Sequence, residues 1–216
     1  ERVFTLVCDA SRADDAKKLY EWCAKNFGSV YGLVAAAGIY GPIGPFADVN
    51  FEEWEKTISI NLIGSARTVH ALCPLMKKNG EGRVVLFSGG GQGAMANFSP
   101  YVTSKGGIWR LAETLGAELS ADNIYVNALA PGAVNTKLLD ELLSAGPSKV
   151  GKDFFEKSIK QKENGGESPE KAAQLVMYLM SSRSKGLYGK TLSAIWDDYE
   201  NFKNLPELSK SDVYCV

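Results

Sequence analysis

Two residues of this chain have the types and spacing for proton chemistry: Tyr101 and Lys105, in Ser99-Pro-Tyr-Val-Thr-Ser-Lys105. A helix opening at Pro100, where the missing N–H is harmless, places them one turn apart on one face. A free tyrosine has a pKa near ~10 and is a poor acid or base at neutral pH, but an adjacent ammonium stabilises its phenolate. A phenol tuned in this way can protonate a carbonyl oxygen as hydride arrives, or take the proton from an alcohol as hydride leaves. Tyr-x-x-x-Lys also occurs by chance in ordinary helices, so its meaning depends on the elements around it.

Those elements alternate. Val3-Phe-Thr-Leu-Val7 reads as a strand ending at Cys8-Asp9, and Ser11 ahead of Asp14 signals a helix start. Ala16, Leu19, Tyr20, Cys23 and Phe27 form the buried face of that helix, with Gly28 as its stop. Leu33-Val-Ala-Ala-Ala-Gly38 is a buried strand running into small residues that let a ligand approach the backbone, and Tyr40-Gly-Pro-Ile-Gly-Pro45 is a loop at the pocket rim. Phe51, Trp54, Ile58, Leu62, Ala66 and Val69 mark a long amphipathic helix running to about Met76, with Pro74 bending or ending it. The strand Arg83 to Phe87 passes through Ser88-Gly-Gly-Gly-Gln-Gly93 into the Tyr101 helix, which closes near Ser120-Ala-Asp-Asn123. Ile124 to Leu129 is the next strand, Ser168-Pro169-Glu170 opens a capped helix, and Gly189 to Ile195 is a final strand. Residues 138–166 mix short helical patterns with glycine breaks, which suits a mobile substrate lid; a plain surface insertion is the other reading. The alternation predicts an α/β fold with a parallel sheet, helices on both faces and ligands at the carboxyl ends of the strands.

Bulk properties narrow the function. The 216 residues, 45% hydrophobic and 23% charged, suffice for a single domain. A net charge of −1 gives no field for nucleic acid or anionic lipid, which leaves a small-molecule substrate as the expected partner. Cys8, Cys23, Cys73 and Cys215 lack metal-site spacing and His70 is the one histidine, so no metal site is expected and a reducing, cytoplasmic setting fits. No apolar run reaches the ~18 residues of a bilayer span, and the amino terminus lacks a signal-peptide pattern.

Tyr101-x-x-x-Lys105 after a glycine-rich turn, Leu33-Val-Ala-Ala-Ala-Gly38 and Ser59-Ile-Asn61 upstream, and Ala130-Pro-Gly-Ala-Val-Asn-Thr136 downstream together resemble the short-chain dehydrogenase/reductase family. The resemblance covers nearly the whole chain and implies a Rossmann-like doubly wound sheet and NAD or NADP as cofactor. It implies Tyr101 as acid/base and Lys105 as the residue that lowers its pKa and holds the cofactor ribose. Asn61 is implied as the residue whose backbone carbonyl holds a water in a proton relay ending at the lysine. Cofactor contacts are implied at Asp9 and Ala10 (adenine), at Ala36 and Gly38, at Tyr101 and Lys105, and in the loop Pro131, Gly132, Val134 and Thr136, where the Val134 N–H and Thr136 hydroxyl hold the carboxamide. The family usually has Asn-Asn-Ala-Gly where this chain has Ala35 and Ala36, so side-chain contacts there are in question. Its catalytic serine is ambiguous: Ser88 stands thirteen residues before Tyr101, the usual spacing, but aligning the strand puts Gly89 at that position. Ser88-Gly-Gly-Gly91 with Leu192-Ser-Ala-Ile-Trp-Asp197 resembles a bacterial subset found in cell-surface sugar contexts.

The expectation is an NAD(P)-dependent oxidoreductase interconverting an alcohol and a carbonyl on a small polar, sugar-derived or acyl substrate. The alternative is a catalytically idle dinucleotide-binding or scaffold protein of the same fold. Helices Phe51 to Met76 and Pro100 to Leu119 resemble the family's dimer-forming pair and predict a homodimer or homotetramer. The tail, residues 197–216, is rich in apolar side chains and is expected to pack on the body or on a neighbouring subunit. The family's Thr-Gly-x-x-x-Gly-x-Gly loop is not in this sequence, which resembles the family from its third strand onward. The resemblance therefore implies a fold lacking the first two strands here, and a further N-terminal segment of about two βα units, on the order of 60 residues. Without that segment, Val3 to Val7 is expected to be displaced.

Overall fold

The computed structural model describes residues 2–89 and 93–215. The first helix, α1 (Ala13–Asn26), leads into β1 (Gly32–Ala35); α2 (Phe51–Ile58) then runs through a π-helical turn, Ser59–Ile63, into α3 (Gly64–Asn79). Next come β2 (Gly82–Phe87), α4 (Ser99–Leu119) and β3 (Ile124–Ala130). After them lie α5 (Lys137–Ala145), α6 (Pro147–Val150), α7 (Lys152–Glu163), α8 (Pro169–Met180), β4 (Thr191–Ser193) and α9 (Leu205–Lys210). The four strands form one sheet in the order β1-β2-β3-β4, every pair parallel.

Strand alternation divides the core into two layers. Val84 and Leu86 of β2, with Ile124, Val126 and Ala128 of β3, face Cys23 of α1, Val69, Leu72 and Met76 of α3, and Ile108 and Ala112 of α4. Val85 and Leu129 point the other way, against Leu175 and Leu179 of α8, Leu187 and Leu192. A third cluster joins Phe98, just before α4, to Leu142 of α5 and Val150 of α6, so the segment after β3 is a helical layer resting on the entrance to the Tyr101 helix. The tail packs on the α8 side through Tyr199, Phe202, Leu205, Leu208 and Tyr214.

Several sequence expectations are corrected. Val3 to Val7 is not a strand: β1 is the edge of the sheet among the described residues, so the run has no ladder to join. It lies displaced along α1, with Phe4 against Trp22 and Phe27 and the Val7 carbonyl accepting from Lys18 Nζ at 3.0 Å. Ser11 is not the α1 cap; its hydroxyl bonds Asp9, and Arg12 takes the cap position. Pro74 does not end α3, which continues to Asn79, because Pro74 lies on the solvent face. The last strand contracts to Thr191–Ser193.

Candidate active site

α4 is anchored at its entry. Phe98 is fully buried, its ring 5.5 Å from both Tyr40 and Phe154, and the Ser99 hydroxyl accepts from the Trp54 indole of α2 at 3.1 Å. Tyr101 and Lys105 follow on the inward face, both buried, with the Lys105 ammonium 5.8 Å from the centre of the Tyr101 ring. Lys105 Nζ donates to the Phe87 carbonyl at 2.7 Å, at the last residue of β2, so the ammonium stands at the carboxyl end of the sheet.

Burial dominates the electrostatics of this pair. It pushes the Tyr101 phenol well above the usual tyrosine range, with the neighbouring Tyr40 adding to the effect, and pulls Lys105 down to about 8. The causes acting on the phenol are burial and Tyr40, with no lowering by Lys105 resolved. Tyr101 is therefore a neutral phenol at neutral pH, a proton donor in readiness, beside a lysine still mostly charged.

Asn61 sits in the π-helical turn and is almost fully buried. Its side chain, rather than its backbone, organises the site: Oδ1 accepts from Ile39 N, while Nδ2 donates to Ile39 O and to Ser104 Oγ, each at 2.9 Å. Its backbone carbonyl accepts from the Ser65 hydroxyl at 2.7 Å. The Ser104 hydroxyl passes the connection on to the Tyr101 carbonyl at 2.7 Å. Thus Asn61 ties the loop after β1 to the catalytic helix. Neither Ser104 nor Ile39 was legible as a site residue, since nothing in sequence spacing marks a cross-helix contact.

Ser88 is buried, and its hydroxyl donates to the Lys105 carbonyl at 3.3 Å, tying the end of β2 to α4. Gly89 takes φ +98°, and a Cβ there would lie 3.3 Å from Pro131 Cδ, so no side chain suits that position. Residues 90–92 of the glycine run lie outside the described residues. Gly38 keeps open the space beside the lysine: a Cβ on it would sit 3.4 Å from Asn61 Oδ1 and 3.5 Å from Lys105 Nζ. Ala36, next to it, is exposed.

The remaining predicted positions flank this centre. Asp9 is exposed and held below the usual carboxylate range by the Ser11 hydroxyl and N–H. Ala10 docks on the start of α3, where its carbonyl accepts from Arg67 at 3.0 Å and a Cβ on Gly64 would come within 3.1 Å. Beyond β3, Pro131 abuts Gly89, and Gly132 takes φ +84° with no room for a Cβ against Ile195. The Val134 N–H donates to the Gly132 carbonyl at 3.1 Å and is not free for a ligand as expected, because the loop folds back on itself. The Thr136 hydroxyl is exposed and unbonded among the described residues. Among those residues no cluster of potential ligands could hold a metal.

Comparison with known proteins matches residues 1–194 to the family model described as Enoyl-(Acyl carrier protein) reductase. The chain is 32% identical over 193 residues to "Dehydrogenase/reductase SDR family member 4" of Mus musculus, covering 87% of this chain and 66% of that protein. It belongs to the short-chain dehydrogenase/reductase family. Among solved structures, levodione reductase superposes with a TM-score of 0.78 at 26% identity, over 93% of this chain and 79% of that one. NAD+-bound xylitol dehydrogenase superposes with a TM-score of 0.77 at 25% identity, over 87% and 76%. The short-chain dehydrogenase/reductase fold accounts for the parallel sheet with Tyr101 and Lys105 at its carboxyl end; this chain spans 66% of the length of the mouse relative. No helix among the described residues is long and apolar enough to cross a membrane.

Proposed function

We propose that this chain is an NAD(P)-dependent oxidoreductase that interconverts an alcohol and a carbonyl. One observation carries the reading: a buried ammonium beside a neutral phenol at the carboxyl end of a parallel sheet, with two of its three hydrogens unengaged among the described residues. Buried donors without partners are costly, so a ligand's oxygens are their natural acceptors. Gly38 puts no side chain beside the Lys105 ammonium, which leaves it open to a cofactor ribose, and xylitol dehydrogenase, a structural neighbour, is an NAD+-bound protein.

A nicotinamide cofactor, when bound, supplies or accepts the hydride. Lys105 holds its ribose, and Tyr101 gives its proton to the carbonyl oxygen in reduction or takes it back in oxidation. Asn61 positions Ile39 and Ser104, while Ser88 fixes the backbone of Lys105 instead of serving the substrate. Asp9 and Ala10 flank the adenine end, and Thr136 offers its hydroxyl to the carboxamide end.

The finer reading rests on the same supports. Gly89, in a conformation that suits no side chain, favours the subset with Ser-Gly-Gly-Gly before the tyrosine, and with it a small polar, sugar-derived or acyl substrate in the cytoplasm. Residues 138–166 act as the lid, and α2 through α4 supply the dimer surface. Sedimentation at micromolar concentration should show a dimer or tetramer; monomer alone counts against that assembly.

The test is a screen of sugar-derived and acyl carbonyls with NADH and NADPH, followed at 340 nm on the full-length protein. At least one substrate with sustained turnover is expected. Tight cofactor binding with no turnover on any carbonyl would establish the idle scaffold instead.

A further inference from the structure

A reducing site of this kind needs two hydrogen-bond donors on the substrate oxygen, one to deliver the proton and one to hold the developing charge. Resting on the oxidoreductase reading above, the structure leaves the second donor unassigned. The Ser88 hydroxyl is bonded to the Lys105 carbonyl, and Gly89 has no side chain.

A second phenol packs against the first. Tyr40, in the loop that follows Gly38, has its ring centre 4.6 Å from that of Tyr101, with the planes at 62°. Tyr40 is half-buried, wedged against Phe98, which leads into α4. Neither phenol has a hydrogen-bond partner among the described residues, yet neither oxygen is among the sealed, unsatisfied polar atoms, which are Arg83 Nε, Trp109 Nε1 and Thr191 Oγ1. Both oxygens therefore reach accessible space. Asn61 fixes the loop through Ile39, the residue next to Tyr40, on both its N–H and its carbonyl. The loop that carries Tyr40 is thus pinned to the helix that carries Tyr101. The Tyr40 phenol is held above its usual range by burial and by the Glu141 carboxylate of α5, so it stays a donor at neutral pH.

We infer that Tyr40 is the second hydroxyl donor of the active site, and that the substrate oxygen sits between the Tyr40 and Tyr101 phenols. In reduction the Tyr101 O–H bond breaks and its proton forms the alcohol O–H. The hydride for the new C–H bond would be supplied by a bound reduced nicotinamide, which would be left oxidised. Tyr40 donates a hydrogen bond throughout and neither gains nor loses a proton.

The test uses cyclohexanone labelled with 13C at its carbonyl, bound to the full-length protein. Each donated hydrogen bond moves the carbonyl resonance downfield. The wild type should show the largest displacement, Tyr40→Phe and Tyr101→Phe each a smaller one, and the double variant none. In the wild type, magnetisation transfer should connect the ketone to both tyrosine rings, a measurement that requires no variant to fold. Tyr40→Phe should also lower kcat by about 10²-fold while NADH binding, read by fluorescence, stays within twofold. An unchanged resonance in Tyr40→Phe, no displacement in the wild type, or contact with the Tyr101 ring alone overturns the assignment. If only Tyr40→Phe is silent, the oxidoreductase reading survives with Tyr101 as donor and Tyr40 has no part in holding the oxygen. If Tyr101→Phe is silent as well, both readings fall.

Discussion

Lys105 carries a burden that can be measured. Its pKa is about 8 in the folded protein against an ordinary value of 10.5, because its ammonium is buried with a single carbonyl partner. The folded state thus binds this proton less tightly than the unfolded chain, and the group's penalty is full below pH 8 and fades as pH rises toward 10.5. Replacing Lys105 by Met removes that penalty and leaves the Phe87 carbonyl unpaired, a loss that does not vary with pH. The stability difference between Lys105→Met and wild type, measured by urea denaturation, should therefore move in the wild type's favour by on the order of 2 kcal/mol from pH 7 to pH 10. A flat difference would show that the ammonium is not desolvated. Asn61 is the other residue with a large expected effect. Asn61→Ala strips partners from Ile39 N, Ile39 O and Ser104 Oγ, and should cost about 2–4 kcal/mol. It should also speed hydrogen exchange at the Ile39 amide, and protection equal to wild type would refute the pinning role.

The elements show which packing contacts are obligatory. Gly116 of α4 lies where a Cβ would come within 2.5 Å of Gly189 N, backbone against backbone, so Gly116→Ala should destabilise by about 3 kcal/mol or more. Gly106, ten residues earlier on the same helix, faces open space, and Gly106→Ala should stabilise by about 0.5–1 kcal/mol through helix propensity. Thermal melts of the two variants should move in opposite directions. Much of this architecture is legible in the sequence. Pro100 and the one-turn spacing place Tyr101 and Lys105 on one face, and the apolar runs at Val84 to Phe87 and Ile124 to Leu129, the second interrupted by Asn127, announce strands buried on both sides. What is not legible depends on neighbours. The π-helical turn at Asn61 leaves no periodic signal in Ile58 to Gly64, and Val3 to Val7 has the composition of a strand without a ladder to join. The turn that engages the Val134 N–H is likewise fixed by contacts with Gly166 and Glu167, more than thirty residues away.

At the scale of the whole molecule, the tail adds a backbone hydrogen bond at the β4 edge of the sheet and covers one face of the core. The Tyr214 carbonyl accepts from Thr191 N on the outer side of β4 at 2.9 Å, and fully buried Lys190 donates to the Ser211 carbonyl. Phe202, Leu205 and Leu208 cover the α8 layer. Deleting residues 201–216 uncovers this apolar surface and leaves Lys190 without its acceptor, so the melting temperature should fall by roughly 5–10 °C; an unchanged melt would refute the packing role. The central claim, that Tyr101 is the proton donor of a nicotinamide-dependent reaction, is tested most directly by Tyr101→Phe, with turnover and cofactor binding measured on the same preparation. The ring stays packed against Tyr40 and only the oxygen is lost. Turnover should fall by on the order of 10²–10⁴-fold while the cofactor still binds, and turnover equal to wild type would contradict the proton-donor role of Tyr101.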